Sequence, residues 1–291
     1  MSAAEIGLIG LGTMGAMLSL NIAEKGHRIA VYNRTKSRTS EFMDEAGTLA
    51  GMLTPTETLE ELVDAIAPPR AIILMVPAGK PVDDQIGALR PLLGKDDLII
   101  DAGNANFRDT RARALRAESE GWPFLGIGVS GGSEGARFGP SIMGGGPRAA
   151  WDRVAHILTA VAAKYRGEAC ATWMGTGGAG HFVKTVHNGI EYADMQLIAE
   201  IYGILRDGLG RDANTIAKTF ARWNDGPLKS YLIEISGKVS AVTDTRTGGP
   251  LLDVILDRAG QKGTGRWTVI EAQEAGAPVP VIEAAVAARN M

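Results

Sequence analysis

Glu5-Ile-Gly-Leu-Ile-Gly-Leu-Gly-Thr-Met-Gly15 decides the fold of the N-terminal half. Its first five residues read as a short apolar strand, and Gly10-Leu-Gly12-Thr-Met-Gly15 supplies a GxGxxG turn. An amphipathic helix follows from about Thr13 to Lys25. Strand before and helix after is the context in which that spacing means dinucleotide binding. The glycines permit a tight turn, backbone approach to a pyrophosphate and close helix–strand packing, and the helix N-terminus faces the phosphates.

The next strand, Arg28 to Tyr32, ends at Asn33-Arg34-Thr35. A unit that binds NAD carries Asp or Glu at this point to take both ribose hydroxyls. Here a neutral Asn is followed by Arg and Thr, with Lys36 and Arg38 close behind. A carboxylate would repel a 2′-phosphate, whereas a guanidinium binds one through paired charge-assisted hydrogen bonds. The expected cofactor is NADP.

Strand signals recur at Ala71 to Val76 and Leu98 to Asp101, with helical patterns at Thr58 to Ala67 and Pro81 to Leu93. The loops Val76-Pro77-Ala78-Gly79 and Asp101-Ala-Gly-Asn104 then leave the carboxyl edge of a parallel sheet, where ligands bind. A helix over Arg108 to Ser119 and a strand over Pro123 to Val129 lead into Gly128-Val-Ser130-Gly131-Gly132-Ser-Glu-Gly135. Without side chains at 131 and 132 a ligand can lie on the backbone, and Ser130 offers a hydroxyl. Gly144-Gly145-Gly146 reads as a structural turn. The alternation stops near Met174, and helices are expected at about 178–209, 212–223, 228–239 and 279–289.

The first of these helices contains Lys184, His187, Asn188, Glu191 and Tyr192 at i, i+3, i+4, i+7 and i+8, a single stripe. Phe182, Val183, Val186, Ile190, Met195, Leu197 and Ile198 flank it. A narrow polar stripe on an apolar helix predicts burial on most of its circumference, with the stripe lining a cleft. Lys184 and Glu191 stand about 10 Å apart along the axis at ~1.5 Å per residue, room for a small polar molecule. A Lys and a Glu on one helix often mark only a solvated face; the approach Gly175, Gly177, Gly178, Gly180 favours the cleft. Gly260-Gln-Lys262-Gly-Thr264-Gly-Arg266-Trp267 combines glycines and cations without an acid, a composition suited to a phosphate.

Composition bounds the remaining classes. A length of 291 residues suggests two domains, drawn here at 1–177 and 178–291. Glycine, at 38 residues, is about twice its usual share and is concentrated in short runs. A formal net charge of −3 argues against nucleic acid or an anionic membrane as partner. The single cysteine, Cys170, excludes an internal disulfide, fits a reducing cytosol and reads as a core thiol in the run Ala169 to Trp173. No apolar run spans a bilayer and no signal pattern opens the chain, so a cytoplasmic protein is expected.

These motifs, in this order over residues 5–289, resemble decarboxylating 6-phosphogluconate dehydrogenase of the β-hydroxyacid dehydrogenase superfamily. The run Lys184-x-x-His187-Asn-Gly-Ile-Glu-Tyr192 together with Gln261-Lys-Gly-Thr-Gly265 is the most specific part. The resemblance implies a Rossmann-type doubly wound α/β sheet followed by an all-α domain built on a long helix. It implies that Lys184 takes the C3 hydroxyl proton of 6-phosphogluconate and that Glu191 protonates C1 of the five-carbon enediol left after carbon dioxide departs. Asn104, Ser130, Gly131, Gly132, His187 and Asn188 would hold the sugar acid, and Tyr192, Lys262, Thr264 and Arg289 its phosphate. The NADP set is Gly10, Leu11, Gly12, Thr13, Met14, Gly15, Asn33, Arg34, Thr35, Val76, Pro77, Ala78 and Asn104. A homo-oligomer, with a dimer favoured, belongs to the same implication.

The chemistry agrees with it. Oxidation at C3 places a ketone β to the carboxylate, and loss of carbon dioxide leaves an enediol. No carboxylate cluster for a metal is evident, so a protonated Lys184 is the natural group to polarise the ketone. To begin as a base it must start neutral, and lowering a lysine from ~10.4 to near 7 costs about 5 kcal/mol, which burial would supply. Three departures from the family pattern stand out. Pro77 replaces a common Lys, Ser133 a common Glu, and the chain stops at Arg289-Asn-Met291, where longer relatives continue with helices and a tail that gives an Arg and a His to the partner's site. Two other readings follow: a protein that binds NADP or a sugar phosphate with little turnover, and a dehydrogenase of another 3-hydroxy acid.

Overall fold

The computed structural model describes residues 3–291, which divide into two compact units, the first ending at Thr185 and the second running from Val186 to Met291. The first unit is a β/α alternation. In order come β1 (Ile6–Ile9), α1 (Thr13–Glu24), β2 (Ile29–Tyr32), α2 (Lys36–Glu45), β3 (Leu53–Thr56), α3 (Leu59–Ala65), β4 (Ala71–Leu74), α4 (Lys80–Leu89) and β5 (Leu98–Asp101). They continue with α5 (Phe107–Glu120), β6 (Phe124–Ser130), α6 (Gly132–Phe138), β7 (Ser141–Gly145), α7 (Arg148–Val161), β8 (Lys164–Tyr165), β9 (Glu168–Ala169) and β10 (Ala171–Gly175).

Eight of the strands form one sheet in the order β10-β7-β6-β5-β4-β1-β2-β3, and β8 pairs with β9 in a separate hairpin. Every pairing in the large sheet is parallel except β6 with β7. The order steps outward in both directions from β1 and β4, so the carboxyl ends of these strands open a crevice between them. Successive strand residues supply opposite faces. Leu8, Ile73 and Ile100 join the cluster with Leu18, Ile22 and Leu158, while Ile9, Ile72 and Ile99 join the one with Leu62, Val82 and Ile86. Each such side chain, fully buried, contributes roughly 1.5–3 kcal/mol.

The doubly wound sheet agrees with the expected fold class. Two local readings in this unit need correction. Gly144 and Gly145 lie in β7, not in a turn. A Cβ on Gly144 would fall 2.3 Å from the Trp151 ring, and one on Gly145 would fall 2.4 Å from Gly180 N, so elements on both faces press on bare backbone. Cys170 is half-buried between β9 and β10, not a core thiol. Its backbone is committed: its N–H donates to Ala163 O at 2.7 Å and its carbonyl accepts from Ile142 at 2.8 Å.

Helix α8 (Ala179–Gly203) starts in the first unit and continues into the second, followed by a π-helical turn over Ile204–Gly208. The second unit adds α9 (Ala213–Asn224), α10 (Tyr231–Ser240), α11 (Thr264–Ala275) and α12 (Pro280–Ala288). Asp212 caps α9 by accepting from Thr215 N at 2.9 Å, and Ser230 caps α10 by accepting from Ile233 N at 3.2 Å. α9 packs on α10, where Gly237 lets the chain approach Phe220. The burial expected around α8 holds for its first turns, where His181, Lys184 and Thr185 are buried, but not for all of its length: Ile190, Leu197 and Ile201 are exposed, because no element of this unit covers their face. Among the described residues no helix is long and apolar enough to cross a membrane.

Candidate active site

The turn between β1 and α1 fits a dinucleotide. Gly10 has φ +104°, and a Cβ there would meet Met75 O at 2.4 Å. One on Gly15 would meet Gly10 O at 1.9 Å, so α1 can start against the turn only with glycine at that position. Gly12 is different. Nothing lies within 4 Å of where its Cβ would be, and no side chain caps the helix it begins. Exposed Gly12 and Thr13 leave the first-turn N–H groups of α1 facing open space, an anion cradle.

The segment after β2 grips this turn. Asn33 Oδ1 accepts from Leu11 N at 3.0 Å while Asn33 Nδ2 donates to Thr35 O at 3.1 Å. Arg38 Nε donates to Leu11 O at 2.9 Å, and its Nη1 lies 3.2 Å from Glu41 and 3.7 Å from Glu45. Lys36 pairs with Glu57 at 2.7 Å. Of the cations in the segment, Arg34 is exposed and carries none of these ion pairs.

Two further loops reach the carboxyl edge, and Arg113 on α5 ties them together. Its Nη2 donates to Gly79 O at 3.1 Å, just after exposed Pro77 and Ala78. Its Nη1 lies 3.4 Å from buried Asp101, whose Oδ1 accepts from Gly103 N beside half-buried Asn104. Asp83 completes the group at 2.6 Å. Burial opposes the charge on Arg113, but the bond to Asp83 and the field of Asp101 outweigh it, and the guanidinium is held above its ordinary range. Asp83 is correspondingly held below the usual carboxylate range by its hydrogen bond to Arg113.

Lys184 is buried in the first unit, at 9 % exposure, and the reason lies in β6. Gly126, Gly128 and Ser130 share one face of that strand. A Cβ on Gly128 would fall 2.4 Å from Lys184 Cβ, and one on Gly126 would fall 2.3 Å from Thr110 Cγ2. From the helix side, a Cβ on Gly180 would strike Gly126 O and Met143 O, each at 2.4 Å. Glycine against glycine thus lays the first turns of α8 directly on the strand. Ser130 is buried at the end of β6, and exposed Gly131 and Gly132 follow with φ +122° and +62°, opening α6. Sequence reasoning missed Thr110, Arg113 and His181, whose polar contacts cross between elements and leave no local pattern.

In the second unit, His187 Nδ1 lies 3.5 Å from Glu191 Oε2 and 3.2 Å from Asn188 Oδ1. Asn188 Nδ2 donates to Thr264 Oγ1 at 3.4 Å. The Arg289 guanidinium stacks on the Tyr192 ring, 3.9 Å from its centre, and donates to Gly260 O at 2.9 Å. Gly265 gives the ring its seat, since a Cβ there would fall 2.5 Å from Tyr192 Cδ2. Thr264 opens α11, a helix that the sequence reading did not expect, and exposed Lys262 precedes it by two residues. The seven residues expected here therefore gather in one region of this unit. Among the described residues, the grouping that could hold a metal is Glu5, His27 and His156, at the opposite end of β1 from the glycine turn.

A doubly wound sheet with a glycine-lined anion cradle at the start of α1, followed by a helical unit bearing mixed acid, imidazole, amide and guanidinium groups, places the chain in the class of dinucleotide-binding proteins. Residues 5–175 match the NAD binding domain of 6-phosphogluconate dehydrogenase, and residues 180–291 match the C-terminal domain of that enzyme. The chain belongs to the 6-phosphogluconate dehydrogenase family. It is 50 % identical over 289 residues to the NADP(+)-dependent decarboxylating enzyme of Bacillus subtilis (strain 168), and 48 % identical over 288 residues to the NAD(+)-dependent decarboxylating enzyme of the same organism. Each match covers 99 % of this chain and 61 % of the relative. The structure of Plasmodium falciparum 6-phosphogluconate dehydrogenase, described in apo form and with NADP+ or 6-phosphogluconate, superposes with a TM-score of 0.94 at 45 % identity, over 98 % of this chain and 61 % of that one. The chain thus spans about three-fifths of the length of these relatives.

Proposed function

We propose that this chain oxidatively decarboxylates 6-phosphogluconate to ribulose 5-phosphate and carbon dioxide, reducing NADP. The observation that carries the reading is Lys184, a buried lysine whose Cβ and Cγ lie against Gly128 of β6, with Ser130 on the same strand face. NADP, when bound, would supply the acceptor for the hydride that leaves C3. Lys184 takes the C3 hydroxyl proton as that hydride leaves. The resulting ammonium then donates a hydrogen bond to the new C3 carbonyl oxygen and stabilises negative charge there while the C1 carboxylate departs. Glu191 delivers a proton to the carbon that lost carbon dioxide, and His187, 3.5 Å from it, serves to orient it. Asn104, Ser130, Gly131, Gly132, His187 and Asn188 hold the hydroxyls and the carboxylate. Tyr192, Lys262, Thr264 and Arg289 hold the phosphate, as their mixture of guanidinium, amine and hydroxyl suits.

NADP rather than NAD is proposed on Arg34, the exposed guanidinium at the end of β2 with no acid at Asn33. In this reading residues 1–177 bind the cofactor, through Gly10 to Gly15, Asn33 to Thr35, Val76 to Ala78 and Asn104, and residues 178–291 form the substrate and dimerisation domain, with Asn104 and Ser130 to Gly132 of the first domain also touching substrate. The same reading includes a homodimer in the cytoplasm. Exposed Ile190, Leu197 and Ile201 on α8 support self-association, which light scattering measures.

The deciding experiment is production of NADPH and carbon dioxide from 6-phosphogluconate by the purified 291-residue chain, beside Lys184→Met. Turnover by wild type and none by the variant is the expected result. A variant within tenfold of wild type would remove Lys184 from the chemistry, and a wild type that binds without turning over would defeat the reading.

A further inference from the structure

His181 stands one helical turn before Lys184, on the same side of α8. It is 1 % exposed, and no role proposed above employs it. Its Nδ1 lies 2.7 Å from Thr110 Oγ1 on α5, and the same hydroxyl lies 3.2 Å from Asn106 O. The ring rests against β6, where a Cβ on Gly126 would come within 3.0 Å of Nδ1. Nε2 makes no hydrogen bond of its own, although the backbone at Gly103 and Ile127 acts on the ring. Four elements therefore converge on one imidazole: α5, β6, α8 and the loop that carries Asn104.

An apolar side chain of this size would fill the same space. Filling it does not fix how α8 is turned about its own axis, because apolar contact has no direction. A hydrogen bond between α8 and α5 does fix it, and burying a polar ring is a cost that a leucine would avoid. Burial also pushes the His181 imidazole below its ordinary range, so the neutral ring can sit beside the lysine without adding a second positive charge.

We propose that His181 is a positioning residue, which through its bond to Thr110 sets the rotation of the first turns of α8 and thereby where the Lys184 amine points. The proposal rests on the reading of Lys184 as the base. Its test leaves His181 and Lys184 in place and alters the partner. Thr110→Val keeps the methyl group packed against Gly126 and removes the hydroxyl; Thr110→Ser keeps the hydroxyl and removes the methyl.

Both variants are made in the full chain and assayed for turnover of 6-phosphogluconate. In parallel, Lys184 is labelled with pyridoxal 5′-phosphate and borohydride, and the modified peptide is quantified by mass spectrometry. Thr110→Val should lower kcat about tenfold with KM within about twofold, since a misaimed base loses rate rather than binding. Its Lys184 labelling rate should change by about threefold or more, and Thr110→Ser should restore both properties. A Val variant with wild-type kcat and wild-type labelling overturns the proposal, as does a Ser variant as impaired as Val. A Val variant too unstable to assay is replaced by His181→Leu under the same criteria. If wild type shows no turnover, the proposed activity fails by itself, and the labelling comparison still decides whether Thr110 controls the lysine.

Discussion

Replacing Gly128 by alanine would add a single carbon, which would fall 2.4 Å from Lys184 Cβ, 3.0 Å from Lys184 Cγ and 3.2 Å from Gly180 O. Carbon atoms pack comfortably at ~3.5–4.0 Å, so the first turns of α8 must retreat from β6 by about 1 Å. The near contact is with the base of the lysine side chain and with backbone, not with a flexible tip, so rotamer change offers little relief. Overpacking of this kind costs about 1–3 kcal/mol. Displacement of a reacting group by 1 Å costs on the order of a hundredfold in rate. Gly128→Ala should therefore melt several degrees below wild type and turn over 6-phosphogluconate roughly a hundredfold more slowly. Differential scanning calorimetry and NADPH absorbance measure the two effects. Gly87→Ala is the control: it lies within α4, has nothing within 4 Å of its added carbon, and should gain roughly 0.5–1 kcal/mol from helix propensity. If Gly128→Ala matches wild type in both melting and rate, α8 does not rest on β6 as described, and the account of why Lys184 is buried collapses.

Three other expectations follow from the same geometry. Arg34→Ala should lower kcat/KM for NADP about tenfold or more while changing that for NAD little; equal loss with both would show that Arg34 does not read the 2′-phosphate. Arg289→Met removes a guanidinium stacked on Tyr192 and should raise KM for 6-phosphogluconate about tenfold, with the rate on unphosphorylated gluconate unchanged; a parallel loss on gluconate would refute a phosphate role. Burial lowers the folded-state pKa of His181 below the ordinary 6.5, so its stability contribution is complete above that value and shrinks as pH falls through it. The unfolded chain then binds a proton that the folded chain does not, at up to about 1.4 kcal/mol per pH unit. Urea midpoints taken from pH 7.5 down to 5.5 should fall, and His181→Leu should flatten that slope; an identical slope in the variant would mean the imidazole does not titrate differently on folding.

The N-terminal motif was legible because its requirements are local. Gly10, Gly12 and Gly15 each answer a separate constraint within one turn, and the apolar runs of β1, β4 and β5 announce strands buried on both faces. β3 was not legible. Leu53-Thr-Pro-Thr56 contains a proline that argues against a central strand, and the chain tolerates it because β3 lies at the edge of the sheet. The glycines of β7 and the start of α11 misled for a shared reason. Gly144 is bare to admit Trp151, and Gly265 to admit the Tyr192 ring, so residues that look like loop punctuation mark close packing inside regular elements. The stripe from Lys184 to Tyr192 was visible from helical spacing alone. What surrounds it was not, because the Thr110–His181 bond joins positions 71 residues apart, and no periodicity encodes that.

The grip on Leu11 bears on attempts to reprogram the coenzyme. If NADP is the coenzyme, as proposed, conversion toward the non-phosphorylated form would ordinarily begin by exchanging Asn33 for aspartate. Here the amide both receives from Leu11 N and gives to Thr35 O. An aspartate could keep the first bond but would set its second oxygen against the Thr35 carbonyl, while Arg38 still holds the other end of the Leu11 peptide. A one-letter swap would thus disturb the seat of the diphosphate as well as the ribose end. Transplanting the loop from 33 to 38 as one cassette is the change this architecture can absorb.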